Sequence, residues 1–385
     1  MPRRQFLKAV NRAAILNVIR SHGAIARTDI AALTGLSPAA VTGLTAELID
    51  DGLVFAKQEG ASRGGRRPIL LALNSRGVYV VGIKLAEEHA TLALTDLNAE
   101  VVTRRTVELV ERTPQAVSHL LAESVQALLH AAQISRKHLL GVGVGLAGII
   151  DSQAGLCRVS PHNGWREVPF AKLLEDELGC IVSLDNNVNT LTRVEQLYGV
   201  GRQVRDFLVI TIGRGVGMGI VANGQVYRGT RGGGGEFGHV VIDPHGFVCG
   251  CGNRGCLETF VAEPWLLYRA GLQGLTVSMP EELVAAAQAG NSVARDVLAE
   301  GGRVLGCAIA SVVNLLNPAL ILISGEGLRM GEFLLAPMRE AARQHMFGQL
   351  AEDVEIRIEP LSDDTWARGA ASLVLGRIFS MPRLE

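Results

Sequence analysis

Three cysteines and one histidine stand close together in the segment EFGHVVIDPHGFVCGCGNRGCLE. Cys249, Cys251 and Cys256 follow a C-x-C-x₄-C spacing, and His239 precedes the first of them by ten residues. Thiolates and imidazoles are the ligands of closed tetrahedral zinc sites, and the intervening glycines permit tight turns around a metal. A strained disulfide is the alternative, but a reducing compartment favours a structural Zn²⁺ site with these four ligands.

A second polar cluster lies in IVSLDNNVNTLTRVE, residues 181–195, where a β-like segment runs into a helix-like one. Asp185, Asn186, Asn187 and Asn189 all fall at this junction. Polar groups after a buried strand commonly touch a ligand, although an ordinary Asp/Asn turn and helix cap has the same composition. An amide can hold a hydroxyl but does not accept its proton as a general base.

The chain that must position these residues has 385 residues, 48% of them hydrophobic and 19% charged, with 45 glycines. This composition is typical of a soluble α/β protein, and the length predicts two or three domains. The basic N-terminus has a broken apolar run and no small-residue cleavage site, which excludes a signal peptide. The longest apolar region, CAIASVVNLLNPALILIS, is interrupted by asparagines and a proline, so we expect a cytoplasmic protein with no membrane partner.

The overall charge of −1 is unevenly distributed along the chain. Residues 1–76 contain eleven lysines and arginines against five acidic residues, a net charge of +6 that leaves −7 for the remainder. A basic module followed by an acidic domain indicates that only the N-terminal part is suited to binding a polyanion.

Residues 1–76 also have the pattern of a winged helix-turn-helix. A first helix ends at HG, Thr28 is predicted to cap a second helix, and Gly35 turns the chain. Ser37 is predicted to cap a third helix that opens at Pro38, in PAAVTGLTAELIDDG. Two β-like runs around an arginine-rich tip, LVFAKQEGASRGGRRPILLALN, then predict a wing.

Small residues and hydroxyls near the start of the third helix can enter a major groove, and basic residues of a wing can reach phosphates or a minor groove. We therefore predict that operator DNA is a partner of this module. The alternatives are an ordinary helix-packing motif and a flexible basic linker. The predicted DNA-binding residues are Thr28, Ser37, Ala39, Ala40, Thr42, Thr45, Arg63, Arg66 and Arg67.

Beyond residue 76, β-like and helix-like runs alternate in two similar series, the second beginning at DFLVITIGRGVGMGIVANGQVYRG. The repetition predicts two α/β lobes with a cleft between them. We place the first lobe at residues 77–195, together with a C-terminal helix over 370–385. The second lobe, over 196–369, carries the cysteine motif.

The combination of GGGGEFGHVVID with CGCGNRGCLE, behind GVGVGLAGIID and PHNGWREVPF, resembles the ROK family of repressors, open reading frames and sugar kinases. With the N-terminal module and SRGGRRPILLALN, the chain is similar to the regulator branch, which includes xylose, N-acetylglucosamine and glucose-responsive repressors. The resemblance covers essentially the whole chain. It implies an α/β fold, a winged helix-turn-helix followed by a two-lobed actin/hexokinase-like (ribonuclease H-like) ROK domain.

The resemblance also implies a monosaccharide site. In that family the position of His239 ligates zinc through one ring nitrogen and meets a sugar hydroxyl with the other, while carboxylates and an amide hold neighbouring hydroxyls. The sugar-binding residues implied in this chain are Gly148, Asn186, Asn187, Glu236, His239 and Glu258.

Two departures from the kinases of the family argue against phosphotransfer. The aspartate that serves the kinases as general base is replaced by Asn187, and Asp185 would need a register shift to substitute for it. Where kinases carry Asp-x-Gly-Gly-Thr against ATP phosphates, this chain has KLAEE over residues 84–88, and its glutamates repel phosphate. The hairpin TIGRGVGMG keeps the glycines that face phosphates in kinases, but such a pattern also suits a closely packed hairpin. We therefore predict no catalytic residues and no bound ATP.

The sequence thus predicts a sugar-responsive transcriptional regulator, most simply a repressor, that works as a homodimer or a dimer of dimers. Its effector is predicted to be xylose, glucose or a related aldose. Two alternatives stay open: a DNA-binding protein that retains ATP-dependent sugar kinase activity, and a regulator controlled by a protein partner.

Overall fold

The computed structural model describes residues 3–57, 69–361 and 363–379. The chain forms two units, the first comprising Met1–Leu197 with Trp366–Glu385 and the second Tyr198–Thr365. Among the described residues no single helix is long and apolar enough to cross a membrane; one pair, Arg27–Thr34 with Pro38–Asp50, passes on length and composition but is bent by 115°.

The first unit begins with a helical module backed by a small sheet. Its helices are α1 Arg3–His22, α2 Arg27–Thr34 and α3 Pro38–Asp50. Its antiparallel strands pair in the order β1-β3-β2, with β1 Ile25–Ala26, β2 Val54–Lys57 and β3 Leu70–Leu73. Ile15, Leu16, Ile30 and Leu48 are at most 1% exposed, so the three helices share one apolar core.

The rest of the first unit is built on a five-stranded sheet of order β11-β7-β4-β5-β6. Its strands are β4 Tyr79–Leu85, β5 His89–Thr95, β6 Val101–Glu108, β7 Leu139–Leu146 and β11 Ile181–Asn186. The pairs β4–β5 and β5–β6 are antiparallel, whereas β4–β7 and β7–β11 are parallel. A smaller antiparallel sheet contains β8 Ile149–Asp151, β9 Leu156–Ser160 and β10 Trp165–Val168.

The helices of this unit are α4 Pro114–Ala131, α5 Phe170–Leu178, α6 Asn187–Tyr198 and the C-terminal α13 Asp363–Phe379. A short 3₁₀ helix spans Arg136–His138. The C-terminal helix begins at Asp363, seven residues earlier than the predicted start at residue 370. Residues 380–385 of the predicted helix lie outside the described residues.

The second unit repeats the same arrangement. Its sheet has the order β14-β13-β12-β15-β16, with β12 Phe207–Ile212, β13 Val216–Ala222, β14 Gln225–Tyr227, β15 Leu320–Ser324 and β16 Glu355–Ile358. As in the first unit, three neighbouring strands form two antiparallel pairs, and the next two strands are added through parallel pairs. The two sheets confirm the predicted α/β fold with two lobes of one topology.

The helices of the second unit are α7 Glu258–Val261, α8 Glu263–Leu272, α9 Pro280–Gln288, α10 Ser292–Leu316, α11 Glu332–His345 and α12 Leu350–Asp353. Short 3₁₀ helices span Val200–Gln203, Phe237–His239 and Glu326–Met330. The long α10 is capped by the Asn291 side chain at its start and ends at Asn317 in the left-handed conformation. Its buried face lies in the apolar core of this unit.

Candidate functional site

Four potential metal ligands converge in the second unit. His239 ends a 3₁₀ helix, and the three cysteines lie in turns before α7. The donor atoms of His239, Cys249, Cys251 and Cys256 all lie within 4.8 Å of one another. The Sγ atoms of Cys251 and Cys256 are 3.6 Å apart, and Nδ1 of His239 lies 3.6 Å from Sγ of Cys249. This set can hold a metal ion.

Backbone turns bring the four side chains together. The N–H of Cys249 donates to the carbonyl of Asn253 at 2.7 Å, and the N–H of Gly252 donates to the carbonyl of Cys249 at 2.9 Å. Gly255 has a φ of +64°, and a Cβ at this position would lie 1.5 Å from the Asp243 carbonyl oxygen. Only glycine fits this close crossing of two backbone segments.

The thiols have unequal affinities for their protons. Burial raises the pKa of Cys256 to about 12 and also raises the pKa of Cys249. At Cys251 burial likewise opposes ionisation, but the Asn253 backbone and the neighbouring thiols outweigh it and lower the pKa. A cation that displaced the protons of the two buried thiols would remove this electrostatic penalty.

Two glutamates border the metal cluster. Glu258, the first residue of α7, accepts a hydrogen bond from the Val216 N–H at 3.3 Å, and its Oε1 lies 3.8 Å from Sγ of Cys249. Burial raises the pKa of Glu236, with His239 opposing and Glu258 reinforcing the shift. The structure therefore brings together Glu236, His239 and Glu258, which the family resemblance implied as members of one sugar site.

The other predicted sugar-binding residues form a separate group in the first unit. The Asn186 side chain donates to the Gly148 carbonyl at 2.9 Å and accepts from the Val188 N–H at 2.8 Å. Gly148 has a φ of +125°, and a Cβ there would lie 2.1 Å from the Val159 carbonyl oxygen. Asn186 therefore ties the Gly148 turn to the start of α6, a bracing role that the sequence did not reveal.

The amide Asn187 and the acid Asp185, which both lie at this junction, have different environments. Asn187 is the first residue of α6, half-buried, and its Oδ1 accepts from the Val188 N–H at 3.0 Å. Asp185 is 0% exposed and accepts from the Asn189 side chain and the Asn186 N–H, each at 2.9 Å. Because Asp185 is enclosed and hydrogen-bonded, it is not placed to act as the base in place of Asn187.

The turn between β4 and β5, which the family resemblance compares with a phosphate-binding segment of kinases, is engaged in internal contacts. Glu87 pairs with Arg112 at 3.7 Å and lies 3.8 Å from Nδ1 of His162. The Lys84 ammonium lies 4.9 Å from the centre of the Trp366 ring. These side chains therefore hold the turn and do not form a glycine-lined cradle.

The Gly-rich hairpin between β12 and β13 is bordered by carboxylates. A Cβ on Gly213 would lie 2.7 Å from Oε2 of Glu326, and one on Gly215 would lie 2.8 Å from Oε2 of Glu258. The glycines thus allow two acidic side chains to approach the hairpin backbone. This agrees with a closely packed hairpin, which the sequence left open as the alternative to a phosphate-binding one.

The helical module has the geometry of a helix-turn-helix. Gly35 ends α2 in the left-handed conformation, and the Ser37 hydroxyl accepts from the Ala40 N–H at 3.3 Å to cap α3. Ser37, Ala39 and Thr42 are exposed and Ala40 is half-buried, so the start of α3 faces outward.

Two details of the predicted module are wrong. Helix α2 begins at Arg27, so Thr28 lies inside it and Ala26 occupies the cap position without a side-chain bond. Thr45 is 0% exposed: its hydroxyl accepts from Nε of Arg27 at 3.0 Å and donates to the Thr42 carbonyl. Thr45 is therefore a packing residue and not an outward DNA contact. Arg63, Arg66 and Arg67 lie outside the described residues.

Two basic residues of α1 are held by acids at the end of α3. Lys8 and Arg12 pair with Glu47, and Arg12 also pairs with Asp51. Sequence reasoning counted these charges toward a DNA-binding surface and missed the pairing, which their distance along the chain conceals. The ion pairs join α1 to α3.

Comparison with known proteins identifies both parts of the chain. Residues 80–377 match the ROK family, and residues 11–54 match a winged helix-turn-helix DNA-binding family. The chain is 31% identical to a putative xylose repressor of Caldicellulosiruptor sp. strain Rt8B.4 over 98% of each protein. It is 32% identical to the DNA-binding transcriptional dual regulator NagC of Escherichia coli K12, covering 86% of this chain and 83% of NagC.

A solved structure matches nearly the whole chain. It is a ROK family transcriptional regulator, a homologue of the E. coli MLC protein, with a TM-score of 0.88 and 28% identity over 97% of both chains. The family match spans well over half of the residues, and both five-stranded sheets lie within it except for Tyr79, the first residue of β4. The chain is a member of the ROK family that carries an N-terminal winged helix-turn-helix.

Proposed function

We propose that this protein is a sugar-responsive transcriptional repressor that binds operator DNA and a free monosaccharide without phosphorylating the sugar. Residues 1–76 are the proposed DNA-binding domain, residues 77–195 with the C-terminal helix the first lobe, and residues 196–369 the second. The names of its xylose repressor and NagC relatives support regulation by a sugar.

The observation that carries this proposal is which side chains lie at the end of strand β11 and what surrounds them. A sugar hydroxyl that attacks a phosphate needs a base, and Asn187 offers an amide at the position where the family's kinases carry aspartate. Asp185 is fully buried and already accepts two hydrogen bonds. The residues present suit the holding of a hydroxyl and not the removal of its proton.

The proposed sugar contacts use complementary polarity. Carboxylates of Glu236 and Glu258 accept hydrogen bonds from sugar hydroxyls, and Asn187 can donate through its amide nitrogen. Gly148, whose conformation excludes a side chain, leaves its backbone open to close approach. Asn186 already makes two hydrogen bonds and has one donor and one lone pair left for the ligand.

The His/Cys cluster fits Zn²⁺. Tetrahedral zinc needs sulfur atoms about 3.8 Å apart and nitrogen about 3.6 Å from sulfur, given its usual bond lengths. The separations of 3.6 Å between Cys251 and Cys256 and between Cys249 and His239 agree with this requirement. Ligation through Nδ1 would orient the His239 ring so that Nε2 is available to a sugar hydroxyl.

Operator binding is assigned to the start of α3, where Ser37, Ala39, Ala40 and Thr42 lie, and to the wing arginines Arg63, Arg66 and Arg67. Major-groove readers commonly bind paired half-sites, so we propose a homodimer or a dimer of dimers. A coupling of about 1–3 kcal/mol between sugar and DNA binding is sufficient to change operator occupancy.

The test is a calorimetric titration of the zinc-replete protein with D-xylose, D-glucose and N-acetyl-D-glucosamine, each followed by Mg-ATP and measurement of ADP. We expect one sugar to bind, no ADP to form, and Glu258→Gln to abolish binding. Glu332→Gln, an exposed carboxylate paired with Arg339 in the same unit, is the matched control and should bind normally.

Each contrary result would indicate a different function for this protein. Sugar-dependent ADP formation would establish a kinase. Absence of binding across a wide panel of monosaccharides, with zinc still present, would favour control by a protein partner.

A further inference from the structure

The C-terminal helix α13 packs with its backbone directly on the sheet of the first unit. A Cβ on Gly82 of β4 would lie 1.8 Å from the Ala367 carbonyl oxygen, and one on Gly143 of β7 would lie 1.8 Å from that of Ala370. The helix and strands therefore meet without intervening side chains. Such a contact has no flexible groups that could absorb a shift of one element against the other.

The same helix packs on α6, whose first residue is Asn187. A Cβ on Gly369 of α13 would lie 2.7 Å from the carbonyl oxygen of Thr190. The hydroxyl of Thr190, which is 1% exposed, donates to the carbonyl of Asn187. One turn of α6 thus separates a proposed sugar contact from the body of α13.

The other end of α13 is held by α1. The Asn17 side chain donates to the backbone carbonyl of Phe379 at 2.7 Å, although the two residues are 362 positions apart. Arg20 donates to Oδ1 of Asn17 at 3.0 Å, and its guanidinium carbon lies 4.4 Å from the centre of the Phe379 ring. The ring is 4% exposed, so the contact is buried.

From these contacts we infer that α13 is the element that links the Asn186–Asn187 strand end to the DNA-binding module, with Asn17 and Arg20 as positioning residues at its far end. The inference rests on the proposed function for its ligand. A change at the start of α6 moves α13 through Thr190 and Gly369, and α13 moves α1 through Phe379. Packed contacts and hydrogen bonds between rigid elements, such as these, can carry energetic coupling between distant sites.

The contact between α13 and α6 can be tested without any ligand. In Gly369→Ala the new methyl group meets the Thr190 backbone, so α13 must shift away from α6. We expect amide hydrogen exchange over residues 15–22 of α1 to accelerate about tenfold in the full-length protein. Gly271→Ala is the matched control, because it adds a methyl group to a helical glycine with nothing within 4 Å. Unchanged exchange over residues 15–22 in folded Gly369→Ala would overturn the inference.

A second variant acts at the other end and tests the direction toward the ligand. In Asn17→Ala, exchange of the C-terminal end of α13, residues 374–379, should rise, whether or not Gly369→Ala folds. The sugar that binds the wild type among D-xylose, D-glucose and N-acetyl-D-glucosamine should bind Asn17→Ala with a Kd within about twofold, because Asn17 contacts no sugar residue. Binding of this sugar should change the amide hydrogen exchange of α1 in the wild-type protein and leave it unchanged in Asn17→Ala.

The outcomes separate the two proposals. An equal sugar-induced change at α1 in Asn17→Ala and in the wild type would overturn the role of Asn17 and Arg20 while leaving the sugar site intact. Absence of binding by all three sugars would count against the proposed effectors. The exchange of α1 in Gly369→Ala and of α13 in Asn17→Ala would still decide whether α13 links α6 to α1.

Discussion

Thr45 illustrates how a single side chain can be assigned to the wrong face of a helix. It stands one position after Leu44 on α3, and both residues are buried. Arg27 reaches across from α2 and donates to the threonine hydroxyl. The hydroxyl thus satisfies a guanidinium within the module. The sequence pattern could not show this, since the partner belongs to another helix.

The environment of Thr45 predicts a stability effect without a change in DNA sequence preference. Thr45→Val keeps the shape of the side chain but removes the acceptor for Arg27, which should lower the free energy of unfolding by about 1 kcal/mol. Base preference, measured by selection from a random duplex library, should stay the same. Thr42→Val, at an exposed position of the same helix, is the comparison and should alter the base preference. An altered base preference in Thr45→Val with normal stability would show that Thr45 contacts DNA.

Cys256 tests the metal assignment at the level of one ligand. It is 0% exposed, and Cys256→Ser replaces a soft donor by a poor one, so bound zinc should fall from about one per chain to nearly none. Elemental analysis of purified protein measures this directly. Cys307→Ser, a half-buried cysteine of α10 outside the cluster, should retain the metal. Full zinc in Cys256→Ser would exclude it as a ligand.

At the scale of elements, the cap of α3 sets the start of the proposed recognition helix. Ser37→Ala removes the acceptor for the Ala40 N–H and should cost about 1 kcal/mol of helix stability, whereas Ser37→Asp keeps a cap. Hydrogen exchange of the first turn of α3 measures the difference. Equal exchange in the alanine and aspartate variants would mean that the cap contributes nothing.

Signals confined to a few neighbouring residues were sufficient to predict several elements. The Ser37-Pro38 start of α3 and the turn at Gly35 are set by local hydrogen bonding and backbone sterics, and both are as predicted. The alternation of strands and helices likewise gave the two sheets. The convergence of His239 with the cysteines followed from spacing, because the ligands lie within one short segment.

Elements that depend on distant partners could not be placed in the same way. The bracing of Gly148 by Asn186, and the contact of Asn17 with Phe379, join residues 38 and 362 positions apart. No periodicity or cap signal encodes such pairs. The glycines of α13 are explained only by the backbones of α6 and the sheet that lie against them.

At the scale of the whole molecule, two units with the same strand order carry different polar groups at their candidate sites. The first unit presents amides at the end of β11, and the second presents carboxylates and a metal cluster. The shared topology belongs to the family, whereas function depends on the identity of these side chains. We propose that this protein keeps the family's fold and uses it to recognise a sugar without phosphorylating it.

The charge distribution of the whole chain leads to a prediction about salt. Residues 1–76 carry a net charge of +6, Lys8 and Arg12 are paired with acids, and the wing arginines are among the proposed phosphate contacts. Replacing Arg63, Arg66 and Arg67 by alanine should weaken binding to a selected duplex. The slope of log K against log salt should become shallower by roughly 2 to 3, because each lost phosphate contact removes about 0.9.

The matched control for the wing changes the same charge elsewhere. Arg202, Arg205 and Arg231 are exposed in the second unit, and their triple alanine variant has the same net charge as the wing variant. If overall charge governed DNA binding, both variants would lose affinity and slope alike. Because contacts through the wing are local, we expect the control to keep the wild-type slope; equal slopes in the two variants would remove the wing from the DNA interface.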